Sequence, residues 1–353
     1  MNTQAAITHF LPIAAVRRER FLPVPGRVVA RRGQHVSPSD VVAEAVTEPK
    51  HILMDIGRGL GLPPQEADKY LACKDGDQVG AGDVLAGPVG IARRVVRAPH
   101  DGTVVVSGEG QLLLRYELPP FELKAAYQGV VADLISDRGV IIETTGALVQ
   151  GVWGNGQAGF GLLQVLAHNP DDQLVPSQLE VSMRGSVVFA GYCEDEEVFQ
   201  AGADLPLRGL ILASMPARLL PAASNVAYPV IVLEGFGRIT LNTAAFKLLS
   251  TSDRRDAIMI ANRWDRYKGI RPEVLLAVPA SVQGEHPDET DVYAPGKRVR
   301  VVSAPYQGKL AVIEALPAGM SSLPSGVAAP AATIRFEDGE TALVPLTNLD
   351  LVG

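Results

Sequence analysis

Gly33-Gln34-His35-Val36-Ser37-Pro38-Ser39-Asp40-Val41-Val42-Ala43 returns later in the chain as Gly76-Asp77-Gln78-Val79-Gly80-Ala81-Gly82-Asp83-Val84-Leu85-Ala86. Both copies place Gly first, Val fourth and Asp eighth, then run into apolar residues. Glycine and aspartate at such spacing mark tight turns, and alternating Val and Leu mark half-buried strands. Each copy has a companion turn and valine-rich strand. Pro23-Val24-Pro25-Gly26-Arg27-Val28-Val29 precedes the first, and Ala98-Pro99-His100-Asp101-Gly102-Thr103-Val104-Val105-Val106 follows the second. Between the copies, residues 52–73 read as a helical insertion, with Pro63-Pro64-Gln65-Glu66-Ala67-Asp68 as an acidic helix start.

Downstream of the repeat, Gly146, Gly151, Gly154, Gly156, Gly159 and Gly161 punctuate short apolar pieces, so residues 125–180 read as a β-rich connector. Residues 181–280 follow another grammar. The runs Val187-Val188-Phe189-Ala190, Gly209-Leu210-Ile211-Leu212, Pro229-Val230-Ile231-Val232-Leu233, Ala257-Ile258-Met259-Ile260 and Val274-Leu275-Leu276-Ala277-Val278 alternate with helix-like stretches at 194–201, 217–225 and 242–249. Continuous apolar strands separated by helices predict a small parallel α/β sheet.

The C-terminal stretch runs Ala294-Pro295-Gly296-Lys297-Arg298-Val299-Arg300-Val301-Val302, Pro305-Tyr306-Gln307-Gly308-Lys309-Leu310-Ala311-Val312-Ile313, Ala332-Thr333-Ile334-Arg335-Phe336-Glu337-Asp338-Gly339-Glu340 and Val344-Pro345-Leu346-Thr347-Asn348-Leu349. It resembles the KOW modules of transcription-elongation factors and of some large-subunit ribosomal proteins, which implies an SH3-like barrel over 291–353. The repeat over about 20–116 resembles the biotinyl/lipoyl-like barrel-sandwich hybrid, in which two halves wrap into a flattened barrel. The expected fold is therefore multidomain and β-rich with α/β. It comprises an N-terminal arm at 1–19, a barrel-sandwich hybrid at 20–124, the connector, the α/β domain and the KOW-type barrel. A length of 353 residues suits two or three cores at roughly 150 residues per domain.

Composition narrows the function classes. Cys73 and Cys193 lie far apart with no CxxC spacing, so neither a disulfide framework nor a zinc site is implied, and a reducing cytoplasm fits. The apolar stretch 10–16 is too short to span a bilayer, and its arginines follow rather than precede it, the wrong order for a signal peptide. No membrane partner is expected. The net charge of −7 belongs to the middle of the chain, where residues 125–290 hold 12 basic and 19 acidic side chains. No segment has the basic excess of a protein that grips nucleic acid through phosphates.

The carrier families show Glu-Ala-Met-Lys-Met where this chain has Glu44-Ala45-Val46-Thr47-Glu48. Thr47 replaces the modified lysine and Lys50 is out of register, so no biotin, lipoate or other cofactor is expected. Glu234-Gly235-Phe236-Gly237, after a strand and before a helix, is a candidate ligand site, because ligands favour such strand ends and glycine allows close backbone approach. A turn glycine with packing duties is the plainer reading of the same residues. The acids Glu194-Asp195-Glu196-Glu197 read as a solvated helix start, and the six histidines lack metal-ligand spacing.

Arg17, Arg18, Arg20, Arg27, Arg31 and Arg32 fall within sixteen residues that contain one acid, Glu19. They read equally as an anion-facing patch and as partners of the acidic middle domain of the same or a neighbouring chain, which leaves room for an oligomer. With Lys297, Arg298, Tyr306 and Lys309 they are the candidate partner-binding residues. The expected function is a non-catalytic scaffold or adaptor. The KOW resemblance implies contact with RNA, RNA polymerase or the ribosome, and the near-neutral charge of 291–353 favours a protein surface. Nucleic-acid binding should be weak and salt-sensitive at most. The alternative, from another class, is an enzyme or small-ligand-binding protein using the strand ends near Gly235.

Overall fold

The repeat reappears as matched hydrogen bonds. The amide of Ser37 donates to Asp40 Oδ2 at 2.8 Å in the first copy, as Gly80 does to Asp83 Oδ2 at 2.7 Å in the second. One turn upstream, the amides of Arg31 and Lys74 donate to Gln34 Oε1 at 2.9 Å and Asp77 Oδ2 at 2.8 Å. A side-chain acceptor three residues ahead fixes each turn without help from distant chain. A computed structural model describes residues 4–265, 270–279 and 284–353.

The two copies join different cores. Val36, Val42, Ala43 and Ala45 pack with Tyr127, Val131, Ile142 and Leu275, whereas Leu85 and Ala86 pack with Ile56, Leu60, Leu112 and Leu114. Partner strands decide this. His35–Val36 pairs with Gly129–Ile135, and Gln78–Val79 pairs with Gly102–Gly108. The insertion read as helical begins with a strand, Lys50–Asp55, antiparallel to Gln111–Tyr116. Alternate residues Ile52 and Met54 face the core there, a period of two rather than 3.6. α-Helix follows at Ile56–Leu60, capped by Asp55, and at Pro64–Ala67, which runs into a 3-10 turn at Asp68–Tyr70.

In the central region, Ala158–Val165, Val187–Cys193, Gly209–Met215 and Val230–Phe236 are parallel neighbours in that order. Val198 and Phe199 of the helix Glu197–Asp204 and Ala223 of the helix Leu220–Asn225 cover one face of this sheet. Ala245 and Leu249 of the helix Thr243–Ser250 cover the other. Burial on both faces explains the unbroken apolar runs. Of Asp256–Ile260 and Glu273–Ala277, both expected in the same parallel set, Asp256–Ile260 instead runs antiparallel to Ala158–Val165, and Glu273–Ala277 runs antiparallel to Asp256–Ile260. A parallel return needs a crossover, usually helical, and no helix is described between those two strands.

The arm read at 1–19 is a correction of greater weight. Phe10–Phe21 is a twelve-residue strand lying antiparallel on Gly139–Gln150, which in turn pairs with Glu273–Ala277. The expected arm, connector and α/β segments thus share one twelve-stranded mixed sheet. Gln4–Thr8 lies between Thr290–Val292 and Leu349–Val352 in a second, seven-stranded sheet with Arg298–Val301, Leu310–Ala315, Ala331–Phe336 and Thr341–Pro345. The C-terminal unit therefore includes an N-terminal strand. The molecule is β-rich with several mixed sheets, and none closes into a barrel among the described residues. No described helix is long and apolar enough to cross a membrane.

Candidate functional site

The strand end at Glu234 is occupied by the protein itself. The Glu234 carboxylate is buried and accepts from the Asn242 amide at 2.9 Å, from Asn242 Nδ2 at 2.5 Å and from Arg300 Nη1 at 3.1 Å. Arg300 is 1% exposed, reaches Asp350 Oδ2 at 2.9 Å and lies 5.8 Å from the Phe10 ring centroid. Burial opposes its charge, but Glu234 and Asp350 outweigh that and raise its pKa. Gly235 and Gly237 have φ of +137° and +116°, which L side chains rarely adopt, and the Gly237 amide donates to Met215 O at 2.9 Å. Ser214 Oγ both donates to and accepts from the backbone of Ile239, at 2.8 and 3.1 Å, tying the following segment back over the strand end. The parallel strands also follow one another in simple order, so no crevice opens where strand order would reverse. Glu234, Gly235 and Gly237 serve packing, and Phe236 is left half-exposed, edge-on to Trp153.

The six arginines disperse. Arg17 sits 3.5 Å from Glu143, Arg27 pairs with Glu44 at 3.0 Å, and Arg20 Nε donates to the Lys124 carbonyl at 3.2 Å. Arg31 and Arg32 are exposed, with no carboxylate in ion-pair contact among the described residues. Arg18 turns inward and grips Glu273 in a fork, Nε to Oε1 at 2.9 Å and Nη2 to Oε2 at 2.8 Å, while Nη1 reaches Glu289 at 3.3 Å. For Arg17 and Arg18 the acids come from the middle of the same chain.

Around Arg18 lies a buried polar cluster that the sequence reading did not find. Tyr127 donates its hydroxyl to Glu273 Oε1 at 2.7 Å, and burial first, then Glu273, pushes its pKa well up. Gln150 holds the neighbouring strands: its amide donates to the His9 carbonyl at 3.0 Å, the His9 amide donates to its Oε1 at 3.1 Å, and Glu273 is its partner on the other side. The His9 side chain is buried and faces the Asp288 backbone. Burial, then the Arg18 charge, lowers its pKa to about 4, against the opposing pull of the Asp288 backbone and Glu273. Arg271 is buried over the Trp264 ring at 4.7 Å, and among the described residues it has no ion pair and its Nη1 has no acceptor. Burial lowers its pKa, with Asp350 and Glu289 acting the other way. The one available signal was a charge beside an apolar run, Glu273 before Val274-Leu275-Leu276.

On the C-terminal sheet, two candidate residues meet. The Tyr306 and Phe336 rings lie 4.8 Å apart, and Lys309 Nζ stands 5.2 Å over Phe336 and 5.7 Å over Tyr306. Glu340 accepts from the Tyr306 hydroxyl at 3.0 Å, Lys297 pairs with Asp291, and Arg298 is exposed. Elsewhere, a groove of about 900 Å3 opens between Gly129–Ile135 and Glu273–Ala277, which share one edge of Gly139–Gln150. Its lining includes His35, Glu143, Thr144, Phe160 and Asp256. Cys73 and Cys193 are buried free thiols, and burial raises the Cys193 pKa to about 12. Asp195 Oδ1 accepts from the Glu197 amide at 2.9 Å just ahead of the helix Glu197–Asp204. Comparison of the chain with protein-family models and with curated proteins gave no match.

Proposed function

We propose that this chain is a non-catalytic scaffold or adaptor that docks onto the transcription or translation machinery through its C-terminal unit. The observation that carries the reading is the surface corner where the exposed Lys309 lies over the half-buried Tyr306 ring and the edge of the core at Phe336. A cation held against aromatic faces offers a partner both charge and apolar area, the combination enriched at protein interfaces. The corner belongs to the segment that resembles a KOW-type SH3-like barrel, and Arg300 of the same sheet binds Glu234 of the central sheet. The docking unit is thereby held against the rest of the chain. The N-terminal repeat, with its matched aspartate turns, resembles a barrel-sandwich hybrid used as a scaffold, and Thr47 in place of the carrier lysine argues against a covalent cofactor.

Co-sedimentation of the full chain with purified core RNA polymerase and with ribosomal large subunits tests the proposal. One of the two should retain the protein, and the double variant Tyr306→Ala with Lys309→Glu should weaken that association at least tenfold. Failure of both assemblies to bind the wild type would overturn the reading.

A further inference from the structure

We infer that the strand Lys50–Asp55 is the contact edge of a symmetric dimer, in which a second copy of the chain pairs with it antiparallel about a twofold axis at Leu53. Lys50–Asp55 is the outermost strand of a four-stranded sheet, followed in order by Gln111–Tyr116, Gly102–Gly108 and Gln78–Val79. An outer strand presents a row of backbone groups that another chain can complete. Alternation of the hydrogen bonds says which groups those are. The Val104 N–H donates to Asp77 O at 2.9 Å and its C=O accepts from the Gly76 amide at 2.8 Å, both away from Leu114, its neighbour in register. Facing residues that do not bond one another turn their backbones to the opposite sides, so Leu114, and Leu112 two residues before it, bond to Ile52 and Met54. His51, Leu53 and Asp55 alternate with these and point their N–H groups off the sheet. Among the described residues no hydrogen bond reaches the backbone of His51 or Leu53 from beyond that edge.

The side chains at the edge are apolar on both faces. On the outer face Val106, Leu113 and Leu53 stand in cross-strand register, and Val106 and Leu53 are 52% and 61% exposed. On the inner face Ile52 and Met54 pack on the core yet stay only half-buried at the open edge. A second copy of the strand covers all of these, and the outer row continues from Leu53 into Leu53, Leu113 and Val106 of that copy.

Charge chooses the direction and the register. One end of the strand carries Lys50 and His51, with Arg115 directly across from His51, and the other end carries Asp55. Parallel pairing sets basic end on basic end. Antiparallel pairing centred on Leu53 sets His51 against Asp55 of the second copy on both sides of the axis, and it is the register in which all three outward-facing residues meet outward-facing residues. Asp55 uses Oδ1 to accept from the Arg58 amide at 2.8 Å and keeps Oδ2 for that contact. A strand of six residues makes a small interface, so the dimer is weak and concentration-dependent, in the class of contacts below about 1,200 Å2.

Sedimentation velocity of the full chain, from micromolar to submillimolar concentration, should show a reversible monomer–dimer equilibrium. Leu53→Lys changes an exposed residue, so it should keep the wild-type circular dichroism while weakening dimerisation at least tenfold. Leu53→Cys reads the register. In the pairing described the two Cα atoms at this position stand about 5.5 Å apart, within disulfide range. Mild oxidation should therefore yield a covalent dimer much faster than it does for Ile91→Cys, the same change at a fully exposed turn, and the native thiols Cys73 and Cys193 are buried. A chain that stays monomeric throughout the range, a dimer that Leu53→Lys leaves intact, or equal cross-linking at positions 53 and 91 would overturn the proposal.

Discussion

Two buried guanidinium clusters sit at the joints of this molecule, and they differ in completeness. At the first, Arg300 is held by Glu234, Asp350 and the Leu233 carbonyl, and only its Nε lacks a partner. At the second, Arg18 is satisfied by Glu273 and Glu289, while Nη1 of the buried Arg271, which also feels the Glu289 charge, has no acceptor among the described residues. The first cluster ties the C-terminal sheet to the central sheet and is closed by the chain's own groups. The second lies where strands from the beginning, middle and end of the twelve-stranded sheet converge, and it is left open. The closed buried ion cluster serves as a joint between the two sheets.

The largest expected effect comes from breaking the closed cluster. Arg300→Met leaves Glu234 buried with only Asn242, and should cost about 3–5 kcal/mol of stability in denaturant titration. Adding Glu234→Leu should recover a large part of that loss, because both charges are then gone. Full additivity of the two losses would show that the pair does not act as a unit.

The open cluster should reveal itself through pH. His9 stays neutral in the folded chain down to about pH 4, whereas the unfolded chain protonates it near its ordinary value of 6.5. Between those values the unfolded state binds the extra proton, so stability is lost as pH falls from about 6.5 to about 4 and is level above that window. The loss is on the order of 3 kcal/mol, since each tenfold change in proton affinity is worth about 1.4 kcal/mol. His9→Gln should flatten the profile in that window, and an unchanged slope would contradict the account.

What was legible in the sequence was local. The aspartate turns of the repeat are fixed by acceptors three residues away, so Asp40 and Asp83 announce themselves. The fully apolar runs at 187–190, 209–212 and 229–233 read correctly as parallel strands because burial on both faces leaves no other composition. The strand Phe10–Phe21 was hidden because Pro12 and three arginines interrupt its alternation, and its partner lies more than a hundred residues away. Arg300 between two valines looks like the solvent side of a half-buried strand, and nothing nearby says that this side packs on another sheet. Glu234 looked like a ligand position for the same reason, since its cation is 66 residues downstream.

Smaller effects follow from local and exposed contacts. Asp83→Ala removes the side-chain acceptor for Gly80 and should cost about 1 kcal/mol, with Asp40→Ala similar, which would show the two copies of the repeat to be equivalent as turns. Arg27→Ala, at a solvent-exposed pair, should change stability by only about 0.2–1 kcal/mol. A larger effect at Arg27 than at Arg300 would reverse the order on which the contrast between exposed and buried pairs depends.

Native-state hydrogen exchange tests most directly whether the Arg300 cluster welds the C-terminal sheet to the central one. Amides 299–301 and 231–233 lie on the two sides of that joint. In the wild type both groups should exchange with the same opening free energy, and in Arg300→Met the C-terminal group alone should open at a lower one. A wild-type protein in which amides 299–301 already exchange through a separate, lower-energy opening would contradict the joint.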